Sequence, residues 1–142
     1  MKYLGLDLGT KTLGIAISDA NGIIANSYKT LYFKDNDNQF LLEEIKVLIE
    51  KEKIEKIVLG LPKNMDNTLG KRAKETLNFK EELESYLKKE VILEDERWTT
   101  KQAEKILLEG DLSRKKRKKR IDKLAATIIL QGYLNKKNRK GD

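Results

Sequence analysis

Three acidic positions in this chain have the residue type and placement to do chemistry together: Asp7, the triplet Glu94-Asp95-Glu96, and Asp122. Carboxylates are what the composition leaves available. The 142 residues include no histidine and no cysteine. Histidine general bases, Ser-His and Cys-His nucleophile pairs and zinc sites of the usual ligand set are therefore excluded. What remains is Asp, Glu, Lys, Ser, Thr, Tyr, or a hard cation held by carboxylates. Asp7 lies in the stretch Gly5 to Ser18, which reads as two short strands joined by the turn Gly9-Thr10-Lys11-Thr12. Alternation puts Tyr3, Gly5 and Asp7 on one face of the first strand and Leu4, Leu6 and Leu8 on the other. In the second strand Leu13, Ile15 and Ile17 oppose Gly14, Ala16 and Ser18. A carboxylate among residues with almost no side chain is costly unless solvated, hydrogen-bonded or metal-bound, and it leaves room for something large to approach. Nearby backbone amides are the structural alternative.

The other acids extend this pattern. Glu94-Asp95-Glu96 follows the apolar run Val91-Ile92-Leu93, at the end of a predicted fifth strand. Asp122 stands near the start of a predicted last helix over Arg120 to Asn135. The expected buried stripe of that helix is Ile121, Leu124, Ala125, Ile128, Ile129 and Gly132, with Asp122 at its edge. Ala125 and Ala126, one turn later, allow close approach. Taken singly, Asp122 is a helix-start acid favoured by the macrodipole, and the triplet is a solvated strand end. Taken together, a helix-borne carboxylate directed at a sheet that carries another suggests a metal site. Two or three carboxylates can hold one or two magnesium ions. Such sites activate water and stabilise the leaving oxygen in phosphodiester hydrolysis.

The charge distribution points the same way. Of the 30 lysines and arginines, seven are consecutive: Arg114, Lys115, Lys116, Arg117, Lys118, Lys119 and Arg120. The other 23 balance the 23 acidic residues, so this run carries the whole net charge of +7. A second cluster follows at Lys136, Lys137, Arg139 and Lys140. Localised charge of this kind suits a polyanion, although a solvated loop is the plain alternative.

The elements that must position these groups follow in order. Ile23 to Phe33 completes a three-strand antiparallel meander. Asn36 to Glu50 turns helical, with Leu41, Leu42, Ile45, Leu48 and Ile49 in one stripe, Asn36 or Asp37 as candidate cap, and Asn36 and Gln39 at capping-box spacing. Ile57-Val58-Leu59, within Lys56 to Gly60, reads as a buried parallel strand. The long connection from Gly60 to Arg72 holds the only proline and lies where open α/β sheets place ligands. Leu69 to Lys89 is helical, and so is Thr99 to Glu109, where Thr99 and Gln102 have capping-box spacing and Gly110 is the stop. The basic run is then a loop or a helix extension. The expected product is an α/β fold in a single domain spanning 1–142, with a basic segment 111–120 and a basic tail 136–142. Its mixed five-stranded sheet has an antiparallel meander, then parallel strands, flanked by helices. No apolar run reaches membrane-spanning length and no signal-peptide pattern is visible, so a cytoplasmic protein is expected.

Four segments in this order resemble the YqgF family of pre-16S rRNA nucleases, also called Holliday junction resolvase-like proteins. They are Gly5-Leu6-Asp7-Leu8-Gly9 with Gly14 to Ser18, Gly60-Leu61-Pro62-Lys63-Asn64-Met65-Asp66, Asp95-Glu96-Arg97-Trp98-Thr99-Thr100, and Asp122-Lys123-Leu124-Ala125-Ala126. The resemblance covers nearly the whole chain. It implies an RNase H-like fold and a nuclease using Mg2+ or Mn2+, with Asp7, Glu96 and Asp122 as catalytic metal ligands; Asp95 could replace Glu96. Asn67 and Trp98 depart from the usual glycine and leucine without touching a proposed ligand. Lys11, Lys63, Arg72, Arg97 and Arg114 to Arg120 are the expected phosphate contacts, which position a substrate without reading its sequence. Lys63 and Arg97 could equally be ion-paired surface groups. Trp98 is either a packing residue or a stacking platform. The expected partner is structured RNA, an rRNA precursor above all, or branched DNA.

Two other classes compete. Asp7-Leu8-Gly9-Thr10 also resembles the phosphate loop of the actin, chaperone and sugar-kinase superfamily, whose members bind ATP between two such domains, whereas this chain has room for one. A noncatalytic nucleic-acid-binding assembly factor would explain the basic run. It would not explain carboxylates placed beside phosphates, which repel the ligand unless a cation intervenes.

Overall fold

In the computed structural model the structure describes residues 1–34, 37–62, 68–96 and 114–139, with side chains from residue 124 onward in the last segment. Strands β1 (Tyr3–Leu8), β2 (Thr12–Ser18) and β3 (Ala25–Tyr32) form the antiparallel meander. Helix α1 (Asn38–Glu52) leads into β4 (Lys56–Leu61), and α2 (Lys71–Leu87) leads into β5 (Val91–Asp95). Helix α3 (Arg114–Arg139) closes the described chain. The sheet order is β3-β2-β1-β4-β5, with β4 parallel to β1 and β5 parallel to β4. The expected mixed five-stranded sheet is therefore present, with β1 at its centre.

Strand alternation decides which face each helix covers. Leu4, Leu6, Leu13, Ile15, Ile57 and Leu59 point to one side, where they pack with Leu41, Ile45 and Leu48 of α1 and Phe79 and Leu83 of α2. Tyr3, Ala16, Ala25 and Val58 point to the other, where Ala126, Ile129, Leu130 and Leu134 of α3 cover them. The second layer is thin because β1 and β2 present glycines there. A Cβ at Gly5 would stand 2.7 Å from Leu130 Cβ and 3.1 Å from the Ala126 carbonyl oxygen. Both are anchored by the helix, so Gly5→Ala must push α3 off the sheet. We expect it to cost about 2–3 kcal/mol, an overpacking penalty. A lower urea midpoint at unchanged slope is the check.

Three sequence expectations need correction. Helix α1 starts at Asn38 rather than Asn36; Asp37, one of the two cap candidates, is the N-cap and makes no side-chain cap bond. Gln39 is then the second helical residue rather than the third, out of capping-box register, and its amide donates to Glu43 at 3.2 Å. Helix α3 begins at Arg114, not Arg120, so of the two alternatives for the basic run the helix extension holds; lysine and arginine are good helix formers. The buried stripe of α3 is also rotated by about one residue from the expected one. Ala126, Ile129, Leu130 and Leu134 are buried, while Leu124, Ala125, Ile128 and Gly132 are half-buried. The helix there is apolar nearly all round, which leaves the phase undetermined from periodicity alone. The strand limits agree to within two residues. Asn36, the connection Lys63 to Asn67 and the expected helix Thr99 to Glu109 lie outside the described residues.

Candidate active site

The β1–β2 register sets Asp7 opposite Gly14, and the β2–β3 register sets Gly14 opposite Thr30. On the other side Leu6 pairs with Leu59 and Gly60 pairs with Glu94. Carried one step further, the β1–β4 register brings Gly60 beside Asp7. One row across the α3 face thus reads Thr30, Gly14, Asp7, Gly60, Glu94. Asp7 has a glycine on each side, and those glycines are where other groups come close. Ala126 Cβ lies 3.5 Å from where a Gly14 Cβ would be, and Ile129 Cδ1 2.5 Å from where a Gly60 Cβ would be.

Glu96 joins this row from just beyond β5. Its backbone N–H donates to the Leu61 carbonyl at 3.2 Å, which carries the β4–β5 ladder one residue further. Its carboxylate folds back over Gly60, into volume that any side chain at position 60 would fill. Burial pushes the Glu96 carboxyl up to about 7, and the negative charge of Asp7 pushes it the same way. Arg72 opposes the rise and Asp95 adds to it. The Arg72 guanidinium also donates to the Leu8 carbonyl at 3.2 Å, which ties the first turn of α2 to the end of β1.

The acidic triplet is thereby sorted. Asp95 alternates with Val91 and Leu93 onto the α1 and α2 face. Glu94 is on the Asp7 face, but it is buried and ion-paired with Lys136. Glu96 is the member drawn toward Asp7. Asp122 lies in the backbone of α3 four residues before Ala126, one turn from the residue that approaches Gly14. Its side chain is outside the described set. Among the described residues no group of three or more acidic side chains is placed to hold an ion. The pair that is described fits a hard cation. Its donors are carboxylate oxygens, and its two charges repel in a partly buried setting.

The exposed cations at this end of the sheet are more numerous than the expected phosphate contacts. Lys11 is exposed on the β1–β2 turn and Arg72 is exposed beside it at the start of α2. Lys34, Lys71 and Lys74 are exposed at this same end of the sheet and were not singled out from the sequence. Their signal was topological: a helix that follows a parallel strand starts at the strand's C-terminal end, where ligands bind. Lys63, Arg97 and Trp98 lie outside the described residues. Arg114 to Arg120 are described as helical backbone only. In the basic tail, Lys136 is committed to Glu94, and the Lys137 ammonium sits 5.5 Å over the Tyr3 ring.

Comparison with known proteins bears on this arrangement. T. thermophilus RuvC, solved in complex with a Holliday junction substrate, aligns with 72% of this chain and 69% of its own at a TM-score of 0.50 and 14% identity, a likeness of fold. The same protein alone aligns with 72% of this chain and 68% of its own, also at a TM-score of 0.50, with 13% identity. That places the mixed sheet among RNase H-like folds. A protein of Listeria monocytogenes serotype 4b named "Putative pre-16S rRNA nuclease" is 49% identical over 97% of this chain and all of its own length. One of the same name from Bacillus cereus is 46% identical over 96% of this chain and all of its own. The family model described as "RuvX: Holliday junction resolvase" matches residues 1–136, which include Asp7, Glu96 and Asp122, and the chain belongs to this RuvX (YqgF) family.

Proposed function

We propose that this chain is a metal-dependent endonuclease that hydrolyses phosphodiester bonds in the 16S rRNA precursor. It works as one domain spanning 1–142, in the cytoplasm. The observation that carries the chemistry is the pairing of Asp7 and Glu96 across Gly60. Burial holds the Glu96 carboxyl up, and the negative charge of Asp7 adds to the rise. The names of relatives nearly half identical along their whole length support rRNA as the substrate.

Asp7, Glu96 and Asp122 would hold one or two Mg2+ or Mn2+ ions, which when bound supply Lewis acidity and an activated water. The chain's own part is positional. Gly14 and Gly60 have no side chains of their own beside Asp7, which lets α3 and the Glu96 carboxylate come close to it. Lys11, Lys71 and Arg72 give that phosphate cationic partners at the rim. The Arg72 guanidinium, anchored on the Leu8 carbonyl, limits the negative potential at Glu96.

The basic run has a further role as a phosphate surface. Arg114/Lys118, Lys115/Lys119 and Lys116/Arg120 are like-charged pairs four apart on α3, at the helix end where the macrodipole also disfavours cations. A polyanion relieves both penalties. Neutralising Arg114 to Arg120 is expected to weaken RNA binding. It is also expected to flatten the dependence of log Kd on log salt by about 0.7–0.9 for each phosphate that is no longer neutralised. An unchanged slope would mean that the run faces elsewhere.

The family description favours a second reading, cleavage of four-way DNA junctions. The deciding experiment offers wild-type protein an rRNA precursor and a four-way junction, each with magnesium, manganese or a chelator. Metal-dependent cleavage of the precursor alone is the expected result. Cleavage of the junction alone would transfer the function to DNA. Binding without cleavage of either would leave a noncatalytic factor.

A further inference from the structure

We infer that Tyr32 is a stacking platform for an unpaired base of the bound strand, next to the carboxylate site. The inference rests on the reading above, that nucleic acid lies over the Asp7 end of the sheet. Tyr32 is the last residue of β3, an edge strand, and it is 75% exposed. Exposed aromatics on a sheet edge invite unwanted pairing, so a ring left bare there calls for an explanation.

Its position supplies one. Leu31 pairs with Leu13 and is buried toward the α1 core, while Thr30 pairs with Gly14 in the Asp7 row. Alternation therefore puts Tyr32 on the same face as Asp7, opposite Thr12. It lies two strands over and two residues along, about 12 Å away by strand spacing. The neighbouring backbone fixes this geometry, because the Phe33 N–H donates to the Lys11 carbonyl at 3.0 Å. The turn that bears Lys11 is thus tied to the end of the strand that bears Tyr32. Lys34, two residues along the chain, and Lys11, on the turn tied to Phe33, are both exposed at this end of the sheet. An exposed aromatic face at a sheet end that also carries exposed cations suits a base with its phosphates, the combination by which single strands are held without sequence readout. Tyr28, further back on the same strand, is different: it is 38% exposed and the Lys29 ammonium sits 6.0 Å over its ring.

The test uses an RNA hairpin with a single-stranded extension carrying 2-aminopurine, whose fluorescence falls on stacking. Wild type, Tyr32→Ala and Tyr32→Phe are compared in calcium-containing buffer for binding and quenching. Cleavage is then followed in magnesium. Tyr32→Ala is expected to bind roughly 10-fold more weakly. It should lose the quenching and raise KM with little change in kcat. Tyr32→Phe should behave as wild type, and all three should melt alike because the ring is exposed. Equal binding and quenching by wild type and Tyr32→Ala would overturn this inference alone. So would a change in oligomeric state without a change in RNA binding, which would assign the edge to a second copy. Failure of wild type to bind the hairpin at all would overturn the parent reading with it.

Discussion

Asp7→Asn is expected to slow single-turnover cleavage by at least about 10²-fold while RNA binding holds or tightens. The size follows from the role. Loss of a ligand on the central strand removes several kcal/mol of charge stabilisation, and each 1.4 kcal/mol is a decade in rate. The direction for binding follows from the electrostatics. Asp7 stands in a row of glycines facing the space where a phosphate must come, so in the absence of a cation its charge repels the substrate. Asparagine keeps the shape and removes that repulsion. The same change relieves Glu96, whose carboxyl is held high in part by Asp7. In the variant it should titrate closer to its ordinary value, visible by carboxyl NMR in metal-free protein. Binding that weakens while cleavage per bound complex is unchanged would make Asp7 a substrate contact rather than a ligand. The comparison requires only gel-resolved cleavage and filter binding on one RNA, wild type against variant.

What the sequence reveals of this site, and what it hides, divides along physical lines. The face of Asp7 is legible because strand alternation is rigid: once Leu4, Leu6 and Leu8 are core, Gly5 and Asp7 must face away. That β4 is a buried parallel strand follows from a short apolar run after a helix, while its pairing with β1 is seen only in the fold. The phase of α3 is not legible, because Leu124 to Leu130 is apolar on every side and only contact with Gly5 and Gly60 selects Ala126, Ile129 and Leu130. Nor does local pattern foretell that the basic run is helical, since seven adjacent cations weigh against a helix that their propensity favours. The sorting of Glu94, Asp95 and Glu96 depends on partners far away in sequence. Lys136, 42 residues from Glu94, neutralises it, and the Leu61 carbonyl extends the β4–β5 ladder to Glu96. Continuing the strand alternation one residue past β5 would have put Glu96 on the Asp7 face, so the signal was present but lay beyond the strand's last apolar residue.

Glu96→Gln is expected to stabilise the metal-free protein at pH 8 and to inactivate it. The Glu96 carboxyl is raised from an ordinary 4.5 to about 7, first by burial and then by Asp7. Between those two pH values the folded chain keeps a proton that the unfolded chain has released, so wild-type stability falls as pH rises through this window. Below 4.5 both states are protonated and nothing is lost. Above 7 the folded state carries the full cost of a charged, half-buried carboxylate. Glutamine is neutral throughout and escapes that cost. Urea unfolding should therefore show the variant more stable than wild type at pH 8, by an amount on the order of 1–3 kcal/mol, with the upper part of the range reduced by residual solvent access. The two proteins should converge near pH 4. Magnesium should narrow the gap at pH 8, because a bound cation stabilises the ionised wild-type pair and has less to bind in the variant. A stability difference that ignores both pH and magnesium would mean Glu96 acts through packing on Gly60 and Ile129 alone. If the difference follows both, the strain between Asp7 and Glu96 is the feature a metal ion relieves. In that case the chain accepts lower stability at this site in exchange for a cation site that glutamine cannot provide.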